Sequence, residues 1–141
     1  MDVSKRTVVV VGQNNAGRRA LQLALNLEGY GVHAADSPEE GWTLIDKHWP
    51  EAVVLDVADD SPEVLSLVRD LRKNPHHRHV VIVAAAPLPL AAQERAAYEA
   101  GCDAFMVTPA QSRELTELLE CYIPVGRSVS LPEMAAEKLW N

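Results

Sequence analysis

Five short apolar runs alternate with five helical patterns, and this alternation limits the chain's fold more than any other feature. The first run, Thr7-Val8-Val9-Val10-Val11, reads as apolar along its length, as a central parallel strand buried on both faces must. Asn15 is placed to cap the helix that follows. Leu21, Ala24, Leu25 and Glu28 lie on one side of it and Gly29 is positioned to stop it. Gly31-Val32-His33-Ala34-Ala35 is the second strand. Ser37-Pro38-Glu39-Glu40 then opens a helix with a serine cap, a proline in the first turn and a glutamate three residues after the cap. Trp42, Ile45 and Trp49 are its expected buried face. Ala52-Val53-Val54-Leu55-Asp56 is a third strand that ends in an acid. Ser61-Pro62 opens the third helix, with Val64, Leu67, Val68 and Leu71 at the i, i+3, i+4, i+7 spacing of one helical face. Val80 to Val83 form the fourth strand, a helix spans residues 89 to 100 before Gly101, and Ala104 to Val107 form the fifth strand. Leu115, Leu118, Leu119 and Tyr122 stripe the last helix.

Five β-α units with short connections imply an α/β fold: a doubly wound, five-stranded parallel sheet with helices on both faces, over residues 1–123. In such sheets a site forms at the carboxyl ends of the strands, beside a topological switch point. Those ends carry Gly12-Gln13-Asn14, Asp56, Ala85 and Thr108. After Ile123 the character changes. Residues 124–129 read as a linker. Ser130-Leu131-Pro132-Glu133 repeats the capping pattern, so residues 124–141 are expected to be a linker and a short amphipathic helix carrying Met134, Ala135 and Leu139, with Trp140 as a contact residue.

The 48% hydrophobic content is that of a globular chain and not of a disordered one. A net charge of -7 repels phosphate backbones, which argues against nucleic-acid binding by this chain alone. No apolar run approaches the ~20 residues that span a bilayer, and the N-terminus lacks the features of a signal peptide. Cys102 and Cys121 are far apart and make no metal-type spacing. The expectation is a reduced, cytoplasmic protein in which both cysteines are small core residues.

The carboxyl-end residues also carry a family resemblance. Val53-Val54-Leu55-Asp56 resembles the third strand of bacterial response-regulator receiver domains. Gly101-Cys102-Asp103-Ala104-Phe105-Met106-Val107-Thr108-Pro109 is similar to the family's Gly-Ala-x-x-Tyr/Phe-Leu-x-Lys-Pro segment, and Leu71-Arg72-Lys73-Asn74-Pro75 to the end of its third helix. The match covers about residues 6 to 123 and implies the CheY-like, flavodoxin-like fold derived above. It further implies that Asp56 occupies the phospho-acceptor position. Gly12 and Gln13 stand where two metal-holding acids are usual, Ala85 where a Thr or Ser grips the phosphoryl group, and Thr108 where a Lys neutralises it. Phe105 takes the position of the switch aromatic, and Pro109 that of a proline that follows a cis bond.

Only the acceptor acid therefore remains among the charge-handling groups. Mg²⁺ favours near-octahedral oxygen ligands with one or more carboxylates. Gln13 and Asn14 offer neutral amides in their place, and Asp59 and Asp60 follow in a loop. No cofactor is expected, Mg²⁺ included. Gly12 and Gly17 are spaced as in a phosphate-binding loop, but Arg18-Arg19 follow where Lys-Ser/Thr is required. His76-His77-Arg78-His79 reads as a solvated loop. The leading expectation is a non-enzymatic pseudo-receiver that docks on another signalling protein or on a second copy of itself. The docking face would be helix four, strand five and helix five, with the tail as a second contact. A genuine response regulator phosphorylated on Asp56 by a histidine kinase is the first alternative, and a small nucleotide-binding or enzymatic α/β protein the second.

Overall fold

The computed structural model describes residues 6–57, 62–88, 90–108 and 112–123. Five strands and five helices alternate: β1 (Thr7–Val11), α1 (Asn15–Leu27), β2 (Gly31–Ala35), α2 (Pro38–His48), β3 (Ala52–Asp56), α3 (Pro62–Lys73), β4 (Val81–Ala86), α4 (Ala91–Ala100), β5 (Ala104–Val107) and α5 (Ser112–Tyr122). All pairings are parallel, in the order β2-β1-β3-β4-β5. The order reverses direction at β1, so the crevice at the carboxyl ends of β1 and β3 is the switch point. Among the described residues no helix is long and apolar enough to cross a membrane.

Successive strand residues point to opposite faces, and each face has its own core. Val9, Val11, Val53, Leu55, Ile82 and Ala84 meet Ile45, Leu67, Leu71 and Ala97 on the side of α2, α3 and α4. Val8, Val10, Val54, Val83 and Ala85 meet Leu21, Leu25, Leu115, Leu119 and Ile123 on the side of α1 and α5. The four expected core residues of α3 are all buried.

Several local expectations are corrected. Asn14, not Asn15, caps α1: its Oδ1 accepts from Gly17 N at 2.7 Å. Gly29 follows the end of α1 at φ +95°, a left-handed turn that glycine makes without a Cβ clash. Strand β4 runs on to Ala86. Trp49 leaves the face of α2 as a left-handed C-cap and is 57% exposed. His76, Arg78 and His79 are exposed in the turn that joins α3 to β4, but His77 is not solvated: it is 4% exposed, packs against Trp42 and Trp49 and lies 3.1 Å from Asp46 Oδ1. Of the two cysteines only Cys102 is buried, and desolvation pushes its thiol up to about 12, whereas Cys121 is exposed. Tyr122 is also exposed. Pro109, Asp59, Asp60, Ser61 and the tail of residues 124–141 lie outside the described residues.

A histidine pair sits at the β2 edge. The rings of His33 and His48 stack with centroids 3.6 Å apart and planes 9° from parallel. Burial, and then the charges of His48 and Lys47, hold His33 below the ordinary imidazole value of 6.5. A base held below its ordinary value binds fewer protons folded than unfolded, so stability rises with pH across that interval. The contribution is full above 6.5 and is lost as pH falls below it towards the folded value. Thermal melts taken between about pH 8 and pH 5 should show a falling Tm that is flatter in His33→Gln. An unchanged slope in the variant would remove His33 from the account.

Candidate functional site

Gly12 after β1, Asp56 at the end of β3 and Ala85 near the end of β4 continue the alternation that places Val10, Val54 and Val83 on the α1–α5 face of the sheet. Asp56 pairs in register with Ala85, and Val57 N donates to Ala85 O at 2.8 Å, which closes the β3–β4 edge of the site. Gly12 is buried beside Asp56. A Cβ built on Gly12 would lie 2.7 Å from Asp56 Cβ, and one built on Gly17 would run into Asp56 Oδ2. Two glycines, one from the end of β1 and one from the first turn of α1, thus bring backbone directly against the carboxylate. Gln13 is exposed. Asn14 spends its side-chain oxygen on the cap, so its amide does not serve as a metal ligand in this arrangement.

Ala85 is fully buried and presents a methyl group where a hydroxyl would be needed to bind a phosphoryl oxygen. Thr108 is half-buried, and its backbone N donates to Ala86 O at 2.8 Å. Phe105 faces the opposite side of β5 and packs, half-buried, against the α2–α4 core. The structure therefore brings Gly12, Asp56, Ala85 and Thr108 to one end of the sheet and leaves Gln13 at the surface and Phe105 across the sheet.

Beside Asp56 a cleft of about 290 Å³ opens between α1 and α5, lined by Ala16, Gly17, Ala20, Leu21, Ala24, Pro87, Thr108 and Leu115. Among the described residues Asp56 is the single acid of that lining. A Mg²⁺ ion, which the receiver resemblance implies, would meet one carboxylate among the described residues. Among the described residues no group of three or more His, Cys, Asp or Glu converges to hold a metal. The donors among the described residues do not match what that ion favours.

Sequence reasoning missed two arginines. Arg18 Nη1 donates to Gly12 O and Nη2 to Asn15 Oδ1, both at 2.7 Å, and so pins the β1–α1 turn. Arg72 spans the other side of the molecule. Its Nε donates to Gly101 O, its Nη1 to Arg78 O and Val80 O, and its Nη2 to Asp103 Oδ2. The second arginine sat in plain view within the third-helix motif, but nothing in its spacing announces four acceptors.

The family model of the response regulator receiver domain matches residues 8–120. The chain belongs to that family. It is 30% identical over 115 residues to a probable transcriptional regulator, ycf27, of Cyanophora paradoxa, covering 82% of this chain and 47% of the relative. It is 31% identical over 109 residues to the response regulator MprA of a Mycobacterium species, covering 77% and 46%. The receiver chain thus spans about half the length of the curated relatives it matches. A putative response regulator from Chloroflexus aurantiacus superposes with a TM-score of 0.78 at 24% identity, over 85% of this chain and 98% of that one, and shares the fold.

Proposed function

We propose that this receiver domain is a pseudo-receiver, a protein-interaction module of two-component-type signalling that works without phosphorylation. One observation carries the reading. Around Asp56, the positions that should handle phosphoryl charge are Gly12, Gln13, Ala85 and Thr108, none of them charged. Phosphoryl transfer is catalysed by positioning and by neutralising spread negative charge, and each well-placed donor is worth about 2.7–4 kcal/mol. Losing the metal carboxylates, the hydroxyl and the ammonium together leaves little catalysis. A phosphate on Asp56 would also face the alanine-rich wall of the cleft, where unpaired charge is costly.

Docking on another signalling protein would use the face of α4, β5 and α5. Tyr98, Val107 and Tyr122 are exposed there, and a groove of about 500 Å³ runs along Phe105, Met106, Val107, Leu118 and Cys121, edged by Glu114 and Glu117. The same reading takes residues 124–141 as a second contact.

Incubation with acetyl phosphate and Mg²⁺ should leave the intact mass unchanged, and Asp56→Asn should leave partner affinity within about twofold, a few tenths of a kcal/mol. A stoichiometric phosphate adduct on Asp56 would instead establish a phosphorylated response regulator.

A further inference from the structure

We infer that Trp49, at the amino-terminal end of the sheet, anchors a second docking surface whose partner is an acidic peptide segment of another protein. Trp49 is the one non-glycine residue at positive φ among the described residues, at 47°, a conformation that a bulky side chain adopts only under strain. It caps the last turn of α2 and is 57% exposed. A helix stop does not need an indole in water, because glycine makes the same turn without strain. The indole is nevertheless held in place. The ring of His77 lies 4.9 Å from it and that of His76 5.6 Å, centroid to centroid. His77 is itself fixed, buried 5.9 Å from the ring of Trp42 and 3.1 Å from Asp46 Oδ1. An aromatic side chain ordered in advance loses little entropy on binding, and tryptophan is among the residues that carry most of the energy of an interface.

The rim of this platform selects the partner. Lys47 precedes Trp49 at the end of α2, and Lys73 and Arg78 flank His76 and His77 in the α3–β4 turn; all three cations are exposed. None of them enters an ion pair among the described residues. Of the acids at these segments, Glu51 lies beside Arg6, Asp46 beside His77, and Asp70 follows Arg69 on α3. Even with Asp46 counted in full, positive charge is in excess here, on a chain whose net charge is -7. An anionic segment is drawn to that excess, and an apolar side chain within it covers the indole. A nucleic-acid strand also stacks on aromatic rings, but the rest of this acidic chain repels a long phosphate backbone. The surface lies at the end of the sheet opposite Asp56 and apart from α4, β5 and α5, so it works whether or not Asp56 carries a phosphoryl group.

The probe is a hexapeptide with leucine and phenylalanine at its centre and a pair of glutamates on either side, compared with its glutamine and lysine counterparts. Titrated into the ¹⁵N-labelled full chain at low salt, the glutamate peptide should shift the indole N–H resonance of Trp49 and the amides of His76 and Arg78. It should bind at least roughly tenfold more tightly than the glutamine peptide, and about 0.5 M NaCl should remove most of that preference. The lysine peptide should not bind. Trp49→Gly, which keeps the turn, should abolish binding while the remaining spectrum keeps its dispersion. The double variant Lys73→Glu/Arg78→Glu keeps the indole and should bring the glutamate peptide down to the level of the glutamine one. The absence of a saturable shift, equal binding of the two peptides, binding that survives Trp49→Gly, or shifts confined to α4, β5 and α5 would each overturn the surface. Tighter binding of a short oligothymidylate at the same resonances would overturn the choice of partner, making this a site for single-stranded nucleic acid.

Discussion

Arg72→Ala should lower the stability of the domain by about 2–4 kcal/mol, with a fall in Tm on the order of 10 °C. The exposed part of this arginine's pairing is not the reason, since a partly exposed ion pair contributes only about 0–1 kcal/mol. Its backbone acceptors are. The guanidinium reaches Gly101 O at 2.8 Å and both Arg78 O and Val80 O at 2.7 Å, tying the last turn of α3 to the loops that enter β4 and β5. Truncation leaves those carbonyls with an unmade bond, each costing about 1–3 kcal/mol where water cannot replace it. Asp103 completes the clamp: its Oδ2 accepts from Arg72 Nη2 at 2.8 Å and from Ile82 N at 2.9 Å. Gly101 allows the approach, because at φ +123° a Cβ there would sit 2.8 Å from Arg72 Cγ. Arg72→Lys should recover less than half of the loss, since one ammonium cannot span acceptors that a rigid fork reaches. Urea unfolding followed by circular dichroism measures all three proteins, and a loss below ~0.5 kcal/mol in Arg72→Ala would refute the clamp.

Restoring an acid at position 12 should not rebuild a metal site in one step. Gly12→Asp is expected to cost about 1–3 kcal/mol as overpacking and to gain no measurable Mg²⁺ affinity by titration calorimetry. The new Cβ would fall 2.7 Å from Asp56 Cβ. That carbon is bonded to the backbone and cannot swing aside, so β1 and β3 would have to separate. Gly17→Ala makes an instructive control. Its Cβ meets Asp56 Oδ2, the far end of a side chain that can rotate, and its cost should stay below about 1 kcal/mol. If Gly12→Asp melts like the wild type and binds Mg²⁺, the carboxyl end of the sheet has kept room for the ion, and the close packing of Gly12 on Asp56 is not a barrier.

Much of this architecture follows from one-dimensional patterns. Val8 to Val11 and Val53 to Leu55 are buried on both faces, as unbroken apolar strands must be, and Val64, Leu67, Val68 and Leu71 face the core because a 3.6-residue period puts them on one side. Ser37 caps α2 by accepting from Glu40 N, as the motif predicts, because a cap is satisfied within four residues. That positions 12, 13, 85 and 108 carry no charge follows from residue identity alone. What the chain's own periodicity leaves open is which surface each face meets. Trp49 and Tyr122 share the spacing of buried neighbours yet are exposed; Trp49 is the left-handed C-cap of α2 and Tyr122 the last residue of α5, where the helical period no longer sets the direction of the side chain. The Arg72–Asp103 contact joins residues 31 apart in sequence, and the cleft takes its walls from α1, α5 and three strand ends at once. Those features exist only once parallel strands lock in register and helices settle on either face, because distances between elements are set by packing and not by the spacing of residues within any one of them.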